Sequence, residues 1–157
     1  GDLVKLSGGY VTPITTTTDY AVGVVMGVRY VDKTSKQPVW SGYIPASVSS
    51  DDSLSYAFVD DDPNSTFIIQ ADASLTIGDL AMNFDVTLGA GSTFTGQSGF
   101  GIKAASRKAT TAMVRPIQLY DTPQNDFTGS VGAFPQVECR ILRNQQYDVV
   151  GCVVGPV

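Results

Sequence analysis

Residues 20–31, YAVGVVMGVRYV, have the clearest β-strand pattern in the chain. In a β-strand successive side chains point to opposite faces. The even-numbered positions of this stretch, Met26 among them, are all apolar or aromatic, which predicts a face that packs into a core. The odd-numbered positions include Gly23 and Gly27, and glycine inside a strand often marks the close approach of another backbone. The stretch therefore predicts a half-buried strand with a neighbour lying close to it.

Turn-forming residues divide the rest of the chain into short segments. The polar residues 32–37 predict a hairpin between the strand at 20–31 and the next segment, 38–43. Residues 60–65, DDDPNS, predict the turn of a second hairpin between the segments that flank them. The segments with strand character are, in chain order, 38–43, 54–59, 66–70, 82–88, 113–120 and 137–142.

The remaining segments are predicted as connections. Residues 89–101 are rich in glycine, serine and threonine and predict a long loop, whereas the alanine-rich residues 102–112 predict a short helical turn. Residues 121–135 predict a second long loop, and loops of that length in compact domains are usually functional or mobile. Residues 1–19 predict an extended N-terminal arm or an edge strand.

The composition agrees with an all-β fold. The 157 residues include nineteen valines and fifteen threonines, which favour strands, and fourteen aspartates, which favour turns and caps. A chain of this length fits one domain with a real core. We therefore expect a single-domain β-barrel or β-sandwich of short antiparallel strands at 20–157, preceded by the arm at 1–19.

The missing residue types argue against an enzyme. The chain contains no histidine, which excludes Ser–His–Asp and Cys–His catalysis and imidazole metal ligands. Glu138 is the only glutamate, so a pair of catalytic carboxylates has no recognisable setting. Ser98, in a GQSG segment, lacks the strand–turn–helix context of a nucleophile. We expect no catalytic activity and no cofactor.

The acidic run at the second predicted turn is the only candidate metal site. Asp60, Asp61 and Asp62 offer the oxygen ligands that calcium prefers. They lack EF-hand spacing, however, and Pro63 favours a tight turn in which the carboxylates are simply solvated. We expect no metal there.

The charge pattern argues against nucleic-acid and membrane partners. The net charge is −5, and the ten lysines and arginines are spread singly along the chain apart from Arg107 and Lys108, which is too little for the extended basic face that nucleic-acid binding needs. No apolar run approaches the ~20 residues that span a bilayer. Because the sequence begins with Gly1, we expect that residues precede it in the translated protein.

The two cysteines could face each other. If residues 137–142 and 149–154 paired as a hairpin, Cys139 and Cys152 would lie directly opposite on neighbouring strands. The sequence leaves two interpretations open: a neighbouring pair of buried thiols, or a cross-strand disulfide.

The aromatic residues also leave two interpretations open. They could line a sugar-binding platform, or they could belong to the core or to a subunit interface, where aromatic rings dominate the energetics. The candidates are Tyr20, Tyr30, Trp40, Tyr43, Tyr56, Phe58, Phe67 and Phe84.

A series of short segments occurs in a characteristic order along the chain. The segments are YVDKT at 30–34, YIPA at 43–46, YAFV at 56–59, DDP at 61–63, FIIQAD at 67–72, TGQS at 95–98, PQN at 123–125 and VECRI at 137–141. Taken in this order, they resemble the auxiliary capsid proteins of tailed bacteriophages, which are called decoration, cement or head-stabilising proteins. The resemblance spans roughly residues 20–147, and it departs in the basic stretch at 103–112 and in the valine-rich tail.

The resemblance implies a structural virion protein, made in the host cytoplasm, that sits on the outer face of an icosahedral head and bridges coat subunits. Its partners would be the major capsid protein and itself, as a homotrimer or alternatively a homodimer. The alternative function is a cell-surface or carbohydrate-binding β-module.

Segments outside the strands are free to recognise the coat. Lys103, Arg107 and Lys108 form the only basic cluster in this acidic chain. A cationic patch facing an acidic coat surface would steer docking and fix its register. These three residues are therefore the candidate coat-binding residues.

Overall fold

A computed structural model describes residues 1–45, 55–123, 125 and 133–146. Within them, ten strands form antiparallel sheets that do not close into a barrel. The prediction of an all-β fold is confirmed, and the arrangement resembles a sandwich. The strands are β1 (Leu3–Ser7), β2 (Tyr10–Pro13), β3 (Gly23–Val31), β4 (Pro38–Ser41), β5 (Tyr56–Asp60), β6 (Thr66–Gln70), β7 (Val86–Gly89), β8 (Gly99–Ile102), β9 (Val114–Leu119) and β10 (Gln136–Ile141).

The predicted strand at 20–31 becomes β3, the centre of sheet 1, which comprises β1 to β5. One edge of β3 pairs with β1 and β4, and the other edge pairs with β5. The predicted single apolar face is not kept along the whole strand. Val24 pairs with Asp60 and Val28 with Ala57, so these two side chains lie on opposite faces of the sheet. Met26 is 66 % exposed. A bulge between Val25 and Gly27 leaves Met26 without a partner on β5 and turns it outward.

The first predicted hairpin is confirmed, because β3 and β4 pair across the turn at 32–37. The second is wrong. Residues 62–65 do form a turn, in which the Ser65 N–H donates to the Asp62 carbonyl at 3.0 Å. However, β5 pairs with β3, whereas β6 pairs with β10, so this turn passes the chain from one sheet to another.

Residues 1–19 do not project from the molecule as an arm. β1 and β2 form a hairpin around Gly8 and Gly9, both with positive φ, and β1 joins β3. Leu3 and Val4 are buried. Of the two alternatives for this segment, the edge strand is the one observed, as β2.

The segments between 82 and 112 depart from prediction in their boundaries. Strand β7 begins only at Val86, and Gly99–Ile102, which joins the end of the predicted loop to the first residue of the next segment, forms β8 opposite β7. We refer to β7 and β8 as sheet 3. The predicted helical turn is present at Ala104–Ser106. No helical segment in the described ranges is long or apolar enough to cross a bilayer.

Sheet 2 comprises β6, β10 and β9, in that order. All three sheets contribute to one buried cluster around Phe84, which is fully buried and bridges to Val114. The members of the cluster are Leu3, Ile14, Ala21, Val24, Ala71, Leu75, Phe84, Val86, Ile102, Met113, Val114, Val137, Cys139 and Ile141.

The glycine-rich loop between β7 and β8 contacts the end of β4 in sheet 1. The Tyr43 hydroxyl donates to the Phe94 carbonyl at 2.8 Å. The Tyr43 ring lies so close to Gly96 that a Cβ there would overlap it. One cavity is lined by residues of this loop together with Val25, Val28 and Ala57 of sheet 1. The loop therefore lies over one face of sheet 1, which we call the inner face; the opposite face, which carries Arg29 and Phe58, is the outer face.

Candidate interaction surface

The outer face of sheet 1 carries a patch of large exposed side chains. Arg29 on β3 pairs with Trp40 on β4 and with Tyr56 on β5, so these three side chains share one face. Phe58 lies on the same face, two residues after Tyr56. Trp40 is 65 % exposed, Tyr56 57 % and Phe58 40 %. We call these four residues, together with Met26, the aromatic patch.

Two rings of the patch touch across the central strand. The Trp40 and Phe58 ring centroids are 4.2 Å apart with a tilt of 44° between the planes. Their strands lie on opposite sides of β3, where Gly27 is the residue paired with Phe58. Gly27 adds no side chain between the rings. The bulge and this glycine thus shape a continuous apolar surface from β4 to β5.

Arg29 places one positive charge within the patch. Its side chain is exposed, and no carboxylate of the described residues pairs with it. Aromatic residues, methionine and arginine are the types enriched at protein interfaces, and tryptophan, tyrosine and arginine dominate their hot spots. The patch therefore has the composition of a protein-binding surface.

The predicted basic cluster is not a free cationic patch. The Arg107 Nε lies 3.1 Å from Asp79 Oδ1, and the Lys108 Nζ lies 2.6 Å from Asp85 Oδ2. Only Lys103 is exposed without an ion pair to the described part of the chain. Two of the three candidate coat-binding residues thus have their charge balanced within the molecule.

Arg107 also has a structural role. Asp79 is buried, and its Oδ2 accepts hydrogen bonds from the backbone N–H and hydroxyl of Thr76 at 2.7 and 2.8 Å. Arg107 adds an ion pair to Asp79 and donates to the Gly78 carbonyl at 3.0 Å. The guanidinium therefore joins the 103–110 segment to the 3-10 turn at Ile77–Asp79.

The acidic turn uses its carboxylates for local hydrogen bonds. Asp60 Oδ1 accepts from the Asp62 N–H at 3.2 Å and from the Ser65 hydroxyl at 3.1 Å. Asp62 Oδ1 accepts from the Asn64 N–H at 2.8 Å, and Asp61 Oδ2 from the Gln146 side chain at 3.1 Å. In the described residues no three histidine, cysteine or acidic side chains are grouped as metal ligands are.

The hairpin expected to bring the cysteines together involves residues 149–154, which lie outside the described residues. The strand that carries Cys139, β10, has β6 on one edge and β9 on the other. Cys139 is a buried free thiol, and its burial raises its pKa well above the ordinary value. Cys152 lies outside the described residues.

A cavity of about 510 Å³ extends between β1, sheet 2 and the end of the β7–β8 loop. Its wall combines apolar side chains, such as Leu3 and Phe67, with polar ones, such as Gln70, Gln97 and Arg140. Among the described residues that line it there is no aspartate or glutamate. The described lining therefore offers a mixed polar and apolar wall without a pair of carboxylates.

Part of the aromatic patch could have been found from the sequence. A hairpin closed by Val31 and Pro38 necessarily places Arg29 opposite Trp40, and an exposed arginine identifies that face as the outer one. In β5 the sequence does not indicate which face is exposed, because Tyr56 and Phe58 alternate with the apolar residues Ala57 and Val59 and both faces therefore look equally apolar. Among the other aromatic candidates, Tyr30 and Phe84 belong to the interior.

The chain matches no protein-family model, no curated protein and no solved structure.

Proposed function

We propose that the protein is a non-catalytic structural component of a virion, which binds the outer surface of a tailed-phage head and bridges neighbouring coat subunits. The ordered segments that resemble decoration proteins support this proposal, as does the all-β fold on which several of them form strands. Residues 56–59 and 67–69 lie in β5 and β6, and 137–141 lie in β10.

The observation that carries the proposal is the aromatic patch. A large exposed apolar patch marks an interaction site in a soluble protein, since monomers rarely expose such patches without a function. A head protein has two kinds of surface to bind, coat subunits and copies of itself. When an oligomer touches several coat subunits at once, modest single contacts combine into tight attachment through effective concentration.

The coat contact is proposed to include Lys103, Arg107 and Lys108, with Lys103 as the principal electrostatic contributor. Its ammonium is exposed and free of an ion pair to the described residues, whereas Arg107 and Lys108 face Asp79 and Asp85. Substituting the latter two would disturb the 103–110 segment as well as any partner contact. Lys103 therefore gives the cleaner test.

The test is co-sedimentation of the purified protein with undecorated heads across a salt series. We expect the wild type to pellet with heads, and Lys103→Glu to bind more weakly, most clearly at low salt, where charges are least screened. Lys33→Glu, an identical charge change in the β3–β4 turn, is the matched control. Failure of the wild type to pellet at any salt concentration contradicts the proposed function. Equal binding by the two variants contradicts the role of Lys103 alone.

The aromatic patch also favours a second candidate, a carbohydrate-binding module of a cell surface. Flat rings on an open sheet face suit stacking against the apolar face of a sugar. Titration with oligosaccharides would then change the fluorescence of Trp40, which is the only tryptophan. Saturable sugar binding that Trp40→Ala abolishes, with no binding to heads, would replace the first proposal.

A further inference from the structure

The outer edge of β5 differs from the other edges of sheet 1. Edge strands expose unpaired backbone groups, and proteins commonly protect them with proline, lysine or a bulge. Strand β2 ends in Pro13 and β4 begins with Pro38. Strand β5 is YAFVD, without proline or a basic residue, and within the described residues its second edge has no partner strand. It is the edge of this sheet best suited to accept another strand.

We infer that β5 is a homodimer interface, in which it pairs antiparallel with β5 of a second copy about a two-fold axis at Phe58. This inference concerns the isolated chain and does not depend on head binding. All five residues of β5 pair only in this register. Phe58 then faces its symmetry mate, Ala57 faces Val59 of the other copy, and Tyr56 faces Asp60 of the other copy.

Charge complementarity supports this register. Residues 56, 58 and 60 lie on the same face as Arg29, which is the direct neighbour of Tyr56 on β3. In the dimer Asp60 of the second copy lies beyond Tyr56, two strand spacings or about 10 Å from Arg29. That span is within the combined reach of an arginine and an aspartate side chain. The two-fold axis creates the contact twice.

Both charges are available for such a contact. Arg29 is exposed and has no ion pair to the described part of the chain. The hydrogen bonds that Asp60 accepts from Asp62 and Ser65 are both to its Oδ1. Its Oδ2 is directed to no donor among the described residues. The pair would also offset part of the repulsion between two chains of net charge −5.

The aromatic side chains gain a partner by the same pairing. Phe58 already stacks on Trp40 within one copy. Pairing at Phe58 joins the two patches into one apolar surface that runs from Trp40 of one copy to Trp40 of the other. The two sheets become a single continuous sheet, which removes both exposed β5 edges. A face that is the same on both subunits is the usual form of a two-fold interface.

The experiment measures self-association of the purified chain by sedimentation equilibrium, without heads. We expect a dimer for the wild type. Arg29→Glu places a second carboxylate near Asp60 of the other copy, and Asp60→Lys places an ammonium group near Arg29 of the other copy. Each single variant should raise the dimer dissociation constant by about tenfold or more, because two ion pairs become two repulsive pairs.

Mixing the two variants supplies the decisive result. In the mixed dimer one of the two contacts again joins opposite charges, with the carboxylate and the ammonium exchanged, and the other restores the original pair of Arg29 and Asp60. Association should therefore return towards that of the wild type. Lys33→Glu, which makes the same charge change as Arg29→Glu but lies in the β3–β4 turn, should leave association unchanged. Circular dichroism and thermal melts report whether each variant is folded.

Asp60→Lys could also destabilise the fold, because the Asp60 carboxylate accepts hydrogen bonds within its own turn. A further variant tests the interface without changing that turn. Phe58→Lys alters a partly exposed residue and places two ammonium groups at the two-fold axis, so it should produce a monomer. A monomeric wild type at tens of micromolar, a trimer, equal effects of Arg29→Glu and Lys33→Glu, or no recovery on mixing would each overturn the inference. If the chain is monomeric and its aromatic patch binds coat protein or sugar, that ligand and not a second copy of the chain occupies the patch.

Discussion

The Asp19 carboxylate stabilises the segment at residues 15–19, which has no regular secondary structure, and links it to β1. Its Oδ2 accepts the N–H groups of Thr15 and Thr16 at 2.8 and 3.0 Å and lies 2.9 Å from the Lys5 Nζ. Desolvation favours the neutral acid, but the hydrogen bond from Lys5 and those from the two N–H groups outweigh it. The pKa of Asp19 is therefore held well below its ordinary value of 3.8.

This lowered pKa predicts a specific loss of stability in acid. The contribution is fully present above the unfolded pKa and is lost as the pH falls below about 4 towards the folded pKa, because protonation removes the charged acceptor. We expect the melting temperature of the wild type to fall more between pH 5 and pH 2 than that of Asp19→Asn. Asp121→Asn, an exposed position, is the control and should follow the wild type. Parallel curves for all three proteins would contradict the prediction.

The basic residues show the limit of sequence reasoning at this scale. Arg107 and Lys108 are adjacent in the chain and are predicted to act as a unit. In the structure each faces a different acid from an earlier segment, Asp79 and Asp85. Their identity and charge are evident from the sequence, but their partners depend on how distant segments pack.

At the scale of elements, Gly23 decides how closely β5 approaches β3. A Cβ at Gly23 would overlap the Asp60 carbonyl oxygen and lie 2.8 Å from its carbonyl carbon. Both obstacles are backbone atoms, which cannot move without shifting the strand. The close backbone approach predicted for the glycines of 20–31 is thus confirmed at this position.

Substitution at Gly23 should therefore weaken the β3–β5 pairing. We expect Gly23→Ala to lower the free energy of unfolding by about 3 kcal/mol, as overpacking does in a tight core. Gly42→Ala is the matched control, because a Cβ there meets nothing within 4 Å. Its effect should remain within about 0.5 kcal/mol. Urea denaturation of both variants measures the difference, and equal midpoints would contradict the proposed contact.

The two predicted hairpins differ in outcome for a physical reason. The turn at 32–37 joins strands that pair with each other, so local turn chemistry and strand alternation suffice to predict it. The turn at 60–65 has equally strong turn residues, but β5 and β6 pair with other strands. Turn residues predict that the chain reverses or bends, whereas the choice of partner strand depends on the burial of both faces.

At the scale of the molecule, Phe84 lies at the meeting point of the three sheets. It is fully buried, and its backbone forms an antiparallel bridge with Val114 of β9. The surrounding core draws side chains from sheet 1, sheet 2 and sheet 3. A defect at this position should therefore affect all of the sheets together.

This shared core predicts cooperative unfolding. Phe84→Ala should lower the free energy of unfolding by about 3–5 kcal/mol, the usual cost of a phenylalanine-sized cavity. Phe94→Ala, the same change at a side chain that is 89 % exposed, should have little effect. Urea curves followed by Trp40 fluorescence and by circular dichroism should shift together in Phe84→Ala. Separate transitions for the two probes would show that the sheets do not unfold as one unit.

Local patterns in the amino-acid sequence suffice to predict the all-β class, the central strand at 20–31 and the hairpin that follows it. These features depend on side-chain alternation and turn chemistry, which act between residues that are close along the chain. Long-range packing selects β3 as the partner of β5, places β10 between β6 and β9, and brings the rings of Trp40 and Phe58 together across β3. Those outcomes depend on non-local pairing, because an apolar strand can satisfy its alternation beside several partners, and the burial of the whole core selects among them.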